Sequence, residues 1–234
     1  MDSIQRRGFL GRLIGAASAF GVSLATPLAA SAQAPAAETW LAEVKGTHRC
    51  VFDFSKHMNG VGLLHILNYL STYAAAYKAA PGSVGAVGTF YGIGPGASIS
   101  LAFNDAMWAK YGLGEYAGLK DAAGKPYARN PFHRPTASEL HLLMQAMQTP
   151  TIPMFAGAMP ALGIESLQKM GTKFLICANA LGAWCGELEA RGKGKSADLD
   201  KELRANMLPG VTIVPAMVIA IEQAQAAGIA YNRQ

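Results

Sequence analysis

Thr172-Lys-Phe-Leu-Ile-Cys177, running directly into Ala178-Asn-Ala-Leu-Gly-Ala-Trp-Cys-Gly-Glu-Leu-Glu-Ala190, is the stretch from which the fold is read. The first part is apolar almost without interruption, the pattern of a strand covered on both faces. The second predicts a helix, and the two together make one strand–helix unit. Upstream, Ala161–Met170 predicts a helix stopped by Gly171. Downstream come a helix over Asp198–Met207, the breaker Leu208-Pro-Gly210, a strand over Val211–Val214 and a closing helix over Ala216–Ala227, ended by Gly228.

The N-terminal half repeats the alternation. Glu38–Lys45 predicts a short helix and His48–Phe54 a buried strand. Asn59–Ala80 predicts a helix, with Leu63, Ile66, Leu67, Leu70 and Tyr73 recurring at helical steps. Pro81-Gly82 ends it, Val84–Tyr91 is a second strand, and Gly92-Ile-Gly-Pro-Gly96 turns into a helix over Ala97–Lys110. Alternating strands and helices predict an α/β fold: three α/β/α layers around a mainly parallel sheet of about five strands. Residues 111–160 fit less well. Tyr111–Pro135 reads as a long surface excursion, unusual in a compact domain. Ala137–Gln148 predicts a helix capped by Thr136 or Ser138, and Thr149–Pro160 is Pro-rich. No repeat and no second domain is evident.

The first 34 residues read as an address. Arg6-Arg7 precede Phe9-Leu10, a weakly apolar Ala/Gly/Ser run follows, and Ala32-Gln-Ala34 is an Ala-x-Ala cleavage site. The paired arginines indicate the twin-arginine export route and its machinery. The Ser expected before them and the Lys expected after the Leu are absent. The alternative, an uncleaved anchor, is weakened by Gly15, Ser18, Gly21, Ser23 and Pro27 within the run. The expectation is a periplasmic protein beginning near Pro35. The leader holds three arginines and one aspartate, so the formal charge of +5 falls to +3 without it. With no basic run, nucleic acid is not an expected partner.

Three cysteines, Cys50, Cys177 and Cys185, leave one disulfide and a free thiol, or three free thiols. Cys177 is the strongest candidate for chemistry. It stands between an apolar strand and a helix, at the carboxyl edge where ligands collect in open α/β sheets. The partial positive charge of a helix N-terminus favours thiolate, the form that attacks sulfur or accepts a persulfide. The opposing reading is a buried structural cysteine. Cys185 lies two helical turns further, roughly 12 Å along the axis, too far to bridge Cys177 without rearrangement. Cys185 and Cys50 are expected to be packing residues.

Lys173-Phe-Leu-Ile-Cys177-Ala-Asn-Ala-Leu181, Leu208-Pro-Gly-Val-Thr-Ile-Val-Pro215 and Glu222-Gln-Ala-Gln-Ala-Ala-Gly-Ile-Ala-Tyr231 resemble the DsrE/DsrF-like (YchN-like) family. In outline the N-terminal half fits too, with a helix holding Asn68 and a strand running into Gly92–Gly96. The 111–160 region is larger than the family's usual middle. The resemblance implies a Rossmann-like α/β/α fold, a homo-oligomer, and sulfur handling through one cysteine after a strand, here at the position of Cys177. The implied partner is a sulfur donor or acceptor, protein or small molecule, with no cofactor. Fold carries over better than activity.

Two function classes follow: a sulfur relay carrying persulfide or thiosulfonate on Cys177, and a non-catalytic ligand-binding or assembly protein using residues 111–160. A third, minor reading is copper. His141, Met144 and Met147 fall on one helical stripe, with Met154 and Met159 nearby, and imidazole and thioether suit Cu(I). Methionine as core filler is the commoner outcome. His48, His57, His65 and His133 match no metal pattern. Gly92-x-Gly-x-Gly96 lacks the dinucleotide spacing, and Pro95 removes an amide donor. The acids, Asp53 included, show no pairing of the glycosidase or protease kind.

Overall fold

The computed structural model describes residues 39–234; the leader with its Arg6-Arg7 pair and Ala34 cleavage site lies outside them. Five strands form one all-parallel sheet in the order β4-β3-β2-β1-β5: β1 His48–Asp53, β2 Val84–Phe90, β3 Thr172–Cys177, β4 Val211–Val214 and β5 Ala230–Arg233. The chain steps one way from β1 to β4, then returns across the sheet to β5. Right-handed crossovers therefore place the helices between β1 and β4 on one face and the last helix on the other.

Packing follows that rule. Helices α2 (Val61–Ala75), α7 (Ile164–Lys169), α8 (Ala178–Ala190) and α9 (Ser196–Ala205) bury Leu63, Ile66, Leu167, Trp184 and Leu203 against Phe52, Phe90 and Phe174. On the opposite face α1 (Thr39–Glu43) and α10 (Met217–Ala226) bury Trp40, Met217 and Ala220 against Val51, Val87 and Leu175. Strands covered on both faces explain the unbroken apolar runs of β1 and β3. Gly88 in β2 is required by close packing: a Cβ there would stand 2.5 Å from the Phe174 ring, which stacks on Phe90 at 5.0 Å.

The three-layer α/β/α architecture is the expected one, and the differences are local. The helix expected from Asn59 begins only at Val61, because Asn59 and Gly60 take left-handed backbone (φ 47° and 90°) within a single 3-10 turn at Met58–Gly60. It also ends at Ala75, ahead of Pro81. The helix expected over Ala97–Lys110 is split. Ser98–Ala102 is 3-10, Phe103 is extended and bridges Met207, and α3 (Asp105–Tyr111) restarts where the Asn104 side chain accepts the Met107 amide at 3.2 Å. β5 was not expected: Ala230-Tyr-Asn-Arg233 is exposed throughout and carries no apolar alternation.

Residues 111–160 are no surface excursion. They hold α4 (Leu113–Ala117), α5 (Leu140–Met147) and α6 (Met154–Ala158), and they bury Leu113, Leu119, Phe132 and Leu143 in the larger core. Asn130, itself buried, locks the segment down. Its amide donates to Leu101 O (2.9 Å) and Phe103 O (3.0 Å), and its Oδ1 accepts the Phe132 amide (3.1 Å). Periodicity does not show such packing, because one buried amide replaces a regular ladder in satisfying the backbone.

Candidate functional site at the carboxyl edge

Cys177 closes β3 and is the N-cap of α8, with both elements at the bounds the sequence predicts. Its sulfur accepts the Ala180 amide at 3.4 Å and the Met217 amide at 3.4 Å. The first turns of two helices, α8 and α10, thus converge on one sulfur. The convergence is built by chain geometry: β4 runs beside β3, Pro215 follows it, and Pro215 O accepts the Asn179 amide at 3.2 Å. Amide donors and the positive ends of two helix dipoles suit a sulfur that carries negative charge. Only 6% of Cys177 is exposed, and its side chain packs with Val214 and Met217 in the smaller core.

A polar cluster that sequence reasoning missed stands on the same face at the same edge. The buried Asp53 carboxylate accepts the Tyr231 hydroxyl at 2.7 Å and the Thr89 hydroxyl at 3.2 Å. Tyr91 follows the last β2 pair, Phe90 with Ile176, so it stands across from Cys177 in register and packs against the same core. Burial, then its hydrogen bond to Asp53, push the Tyr91 phenol above its ordinary range; the bond to Asp53 also raises Tyr231. One signal could have revealed the cluster. Asp53 ends a strand buried on both faces, where an acid must find a partner.

The Gly92–Gly96 turn is held rather than open. Ser98 donates to Phe54 O (2.7 Å) and accepts the Tyr91 amide (3.1 Å), while the Gly94 amide donates to Glu187 of α8 (3.0 Å). Burial alone would raise the Glu187 carboxyl, but the Tyr116 hydroxyl and Arg191 hold it below its usual range. The turn is a structural clamp between the end of β1 and α8 and shows no phosphate cradle.

The other candidates are dispersed. Cys50, Cys177 and Cys185 are all free thiols. Burial pushes Cys50 up and Cys185 up to about 11, as expected of packing cysteines. His141 has both ring nitrogens against carbonyls, Ser138 O at 2.8 Å and Lys120 O at 2.9 Å, so neither lone pair is presented to a metal. Met144 is buried and its sulfur accepts the Ile152 amide at 3.4 Å; Met147 and Met159 pack in the core while Met154 points outward. Met144 and Met147 of the stripe seen in sequence thus pack as core. Among the described residues no group of three or more His, Cys, Asp or Glu could hold a metal. His57 is buried, accepting the Asn59 amide on Nδ1 (3.1 Å) and contacting Ala117 O through Nε2 (2.9 Å).

No family model and no curated protein matches this chain. Among solved structures it is similar to a protein of unknown function from Methanobacterium thermoautotrophicum, 15% identical, with a TM-score of 0.33, covering 80% of this chain and 99% of that one. Among the described residues no helix is long and apolar enough to cross a membrane.

Proposed function

We propose that this chain is an exported, DsrE/DsrF-like sulfur carrier that holds a persulfide on Cys177. The observation that carries the reading is the pair of amides, Ala180 and Met217, aimed at one sulfur from two helix N-termini. In the transfer, the Cys177 thiolate attacks the terminal sulfur of a donor persulfide. A Cys177 S–S bond forms, the donor S–S bond breaks, and the donor leaves as a thiol that takes up the proton. The sum is an exchange without net oxidation. The same two amides then face the sulfur of the product. Because Cys177 is 6% exposed, each transfer requires the edge to open locally. The reading places the protein in the periplasm, reached through the twin-arginine leader.

The second reading, a binding protein without turnover, is favoured by that same burial. Intact mass after incubation of the reduced, folded protein with glutathione persulfide separates them. The carrier gains one sulfur atom, Cys50→Ser and Cys185→Ser gain it too, and Cys177→Ser does not. A chain that takes up sulfur only after unfolding is not a carrier.

A further inference from the structure

β5 ends the sheet beside β1, and no described strand covers its outer side. The Gln234 amide donates to Asp53 O at 2.9 Å. Backbone polar groups of a strand alternate in direction, so Asn232 also faces β1 while Tyr231 and Arg233 turn their N–H and C=O outward. Directly beside this edge, on the α2 side, lies a groove of about 640 Å³, a size that accommodates several side chains. Phe52 forms its base. Its wall is a run of phenols, Tyr69 and Tyr73 at 5.0 Å and Tyr73 and Tyr77 at 5.3 Å, with Tyr69 also against Phe52 at 5.4 Å. Burial keeps the Tyr69 phenol neutral, pushed up to about 12.

We propose that the β5 edge and this groove together take an extended peptide segment of a partner protein. It adds as a sixth strand and seats apolar or aromatic residues, at alternate positions, against the tyrosines. The pairing of helix groove and free strand edge is what strand addition uses: main-chain bonds give affinity and the groove selects side chains. A second copy of this chain fits less well. Ala230 and Asn232 pair with Cys50 and Phe52, whose side chains lie on the α2 side, so a second β5 would bring only alanine and asparagine to an aromatic wall. The proposal stands apart from Cys177.

Fluorescence anisotropy with fluorescein-labelled Lys-Val-Thr-Phe-Thr-Val-Lys-amide tests it, with a control peptide in which Val and Phe are replaced by Ser. The wild type and Arg233→Ala should bind the first peptide saturably and the control not at all. Arg233→Pro, which removes one outward N–H and leaves the β1-facing bonds, should weaken binding at least about tenfold, as should Tyr73→Ser. Equal binding by Arg233→Pro and Arg233→Ala would overturn the proposal. So would absence of saturable binding, or a stable self-assembly that Arg233→Pro dissociates. Should Arg233→Pro fail to fold, amide exchange on the wild type decides. The peptide must slow exchange at Tyr231 and Arg233, and unchanged exchange there rules it out.

Discussion

Cys177 and Cys185 lie on one strand–helix unit, yet their sulfurs meet different surroundings. Cys177 caps α8 and accepts two amides, whereas Cys185 faces the core between α8 and α9, where burial pushes its thiol up to about 11. At pH 8 a thiol of that kind is thiolate in only about one molecule in a thousand, and reaction needs thiolate and access together. Iodoacetamide on the folded, reduced protein should therefore label Cys177 first and Cys185 only as the protein unfolds. Peptide mass mapping over time reads the order, and equal rates at the two sites would contradict it. Sequence spacing placed both residues correctly along the helix. It could not supply the Met217 amide, which arrives from 40 positions away across a strand pair.

At the scale of elements, the informative case is the 111–160 segment, held by an asparagine. Asn130→Ala leaves Leu101 O, Phe103 O and the Phe132 amide without their partner inside the core. Each buried group so orphaned costs about 1–3 kcal/mol, and partial relaxation brings the expected loss to about 2–4 kcal/mol. Urea unfolding measures it; a loss under about 0.5 kcal/mol would mean the segment is held by apolar packing alone. The Asn130 backbone amide still donates to Asp105 in the variant, so the change reports on the side chain. Loop-like composition misled here because Gly, Pro and charged residues set local geometry, while Leu113, Leu119 and Phe132 decide burial.

For the whole molecule, burial of ionisable groups sets the response to acid. His57 is lowered by burial first and then by Lys56, and His133 by burial and Arg134. The unfolded chain takes up protons below its ordinary histidine value of 6.5 while the folded rings stay neutral, so stability is full above that pH and falls below it. Glu139 adds a second step. Burial would raise its carboxyl, but the Thr136 amide, the Ser138 hydroxyl and Arg129 at 2.6 Å outweigh that and hold it low. Its contribution is present above the ordinary value of 4.5 and disappears as pH falls through the lowered folded value. Urea midpoints against pH should show both steps. His57→Gln should shrink the upper step and leave the lower, and an unchanged upper step would place the titration elsewhere.

The sequence by itself determined the layered α/β fold. Apolar runs at β1, β2 and β3, punctuated by Pro81-Gly82, Gly171 and Gly228, leave little room for another architecture, because unbroken apolar strands must be covered on both faces. It also put Cys177 at a strand–helix junction. Tertiary structure alone decided the strand order, and with it the site. The pairing of β4 with β3 brings Met217 to Cys177, and the return of the chain to β5 beside β1 brings Tyr231 to Asp53 and an exposed edge to the tyrosines of α2. β5 becomes a strand only because β1 offers it hydrogen bonds, and such long-range pairing leaves no periodic trace in four exposed residues.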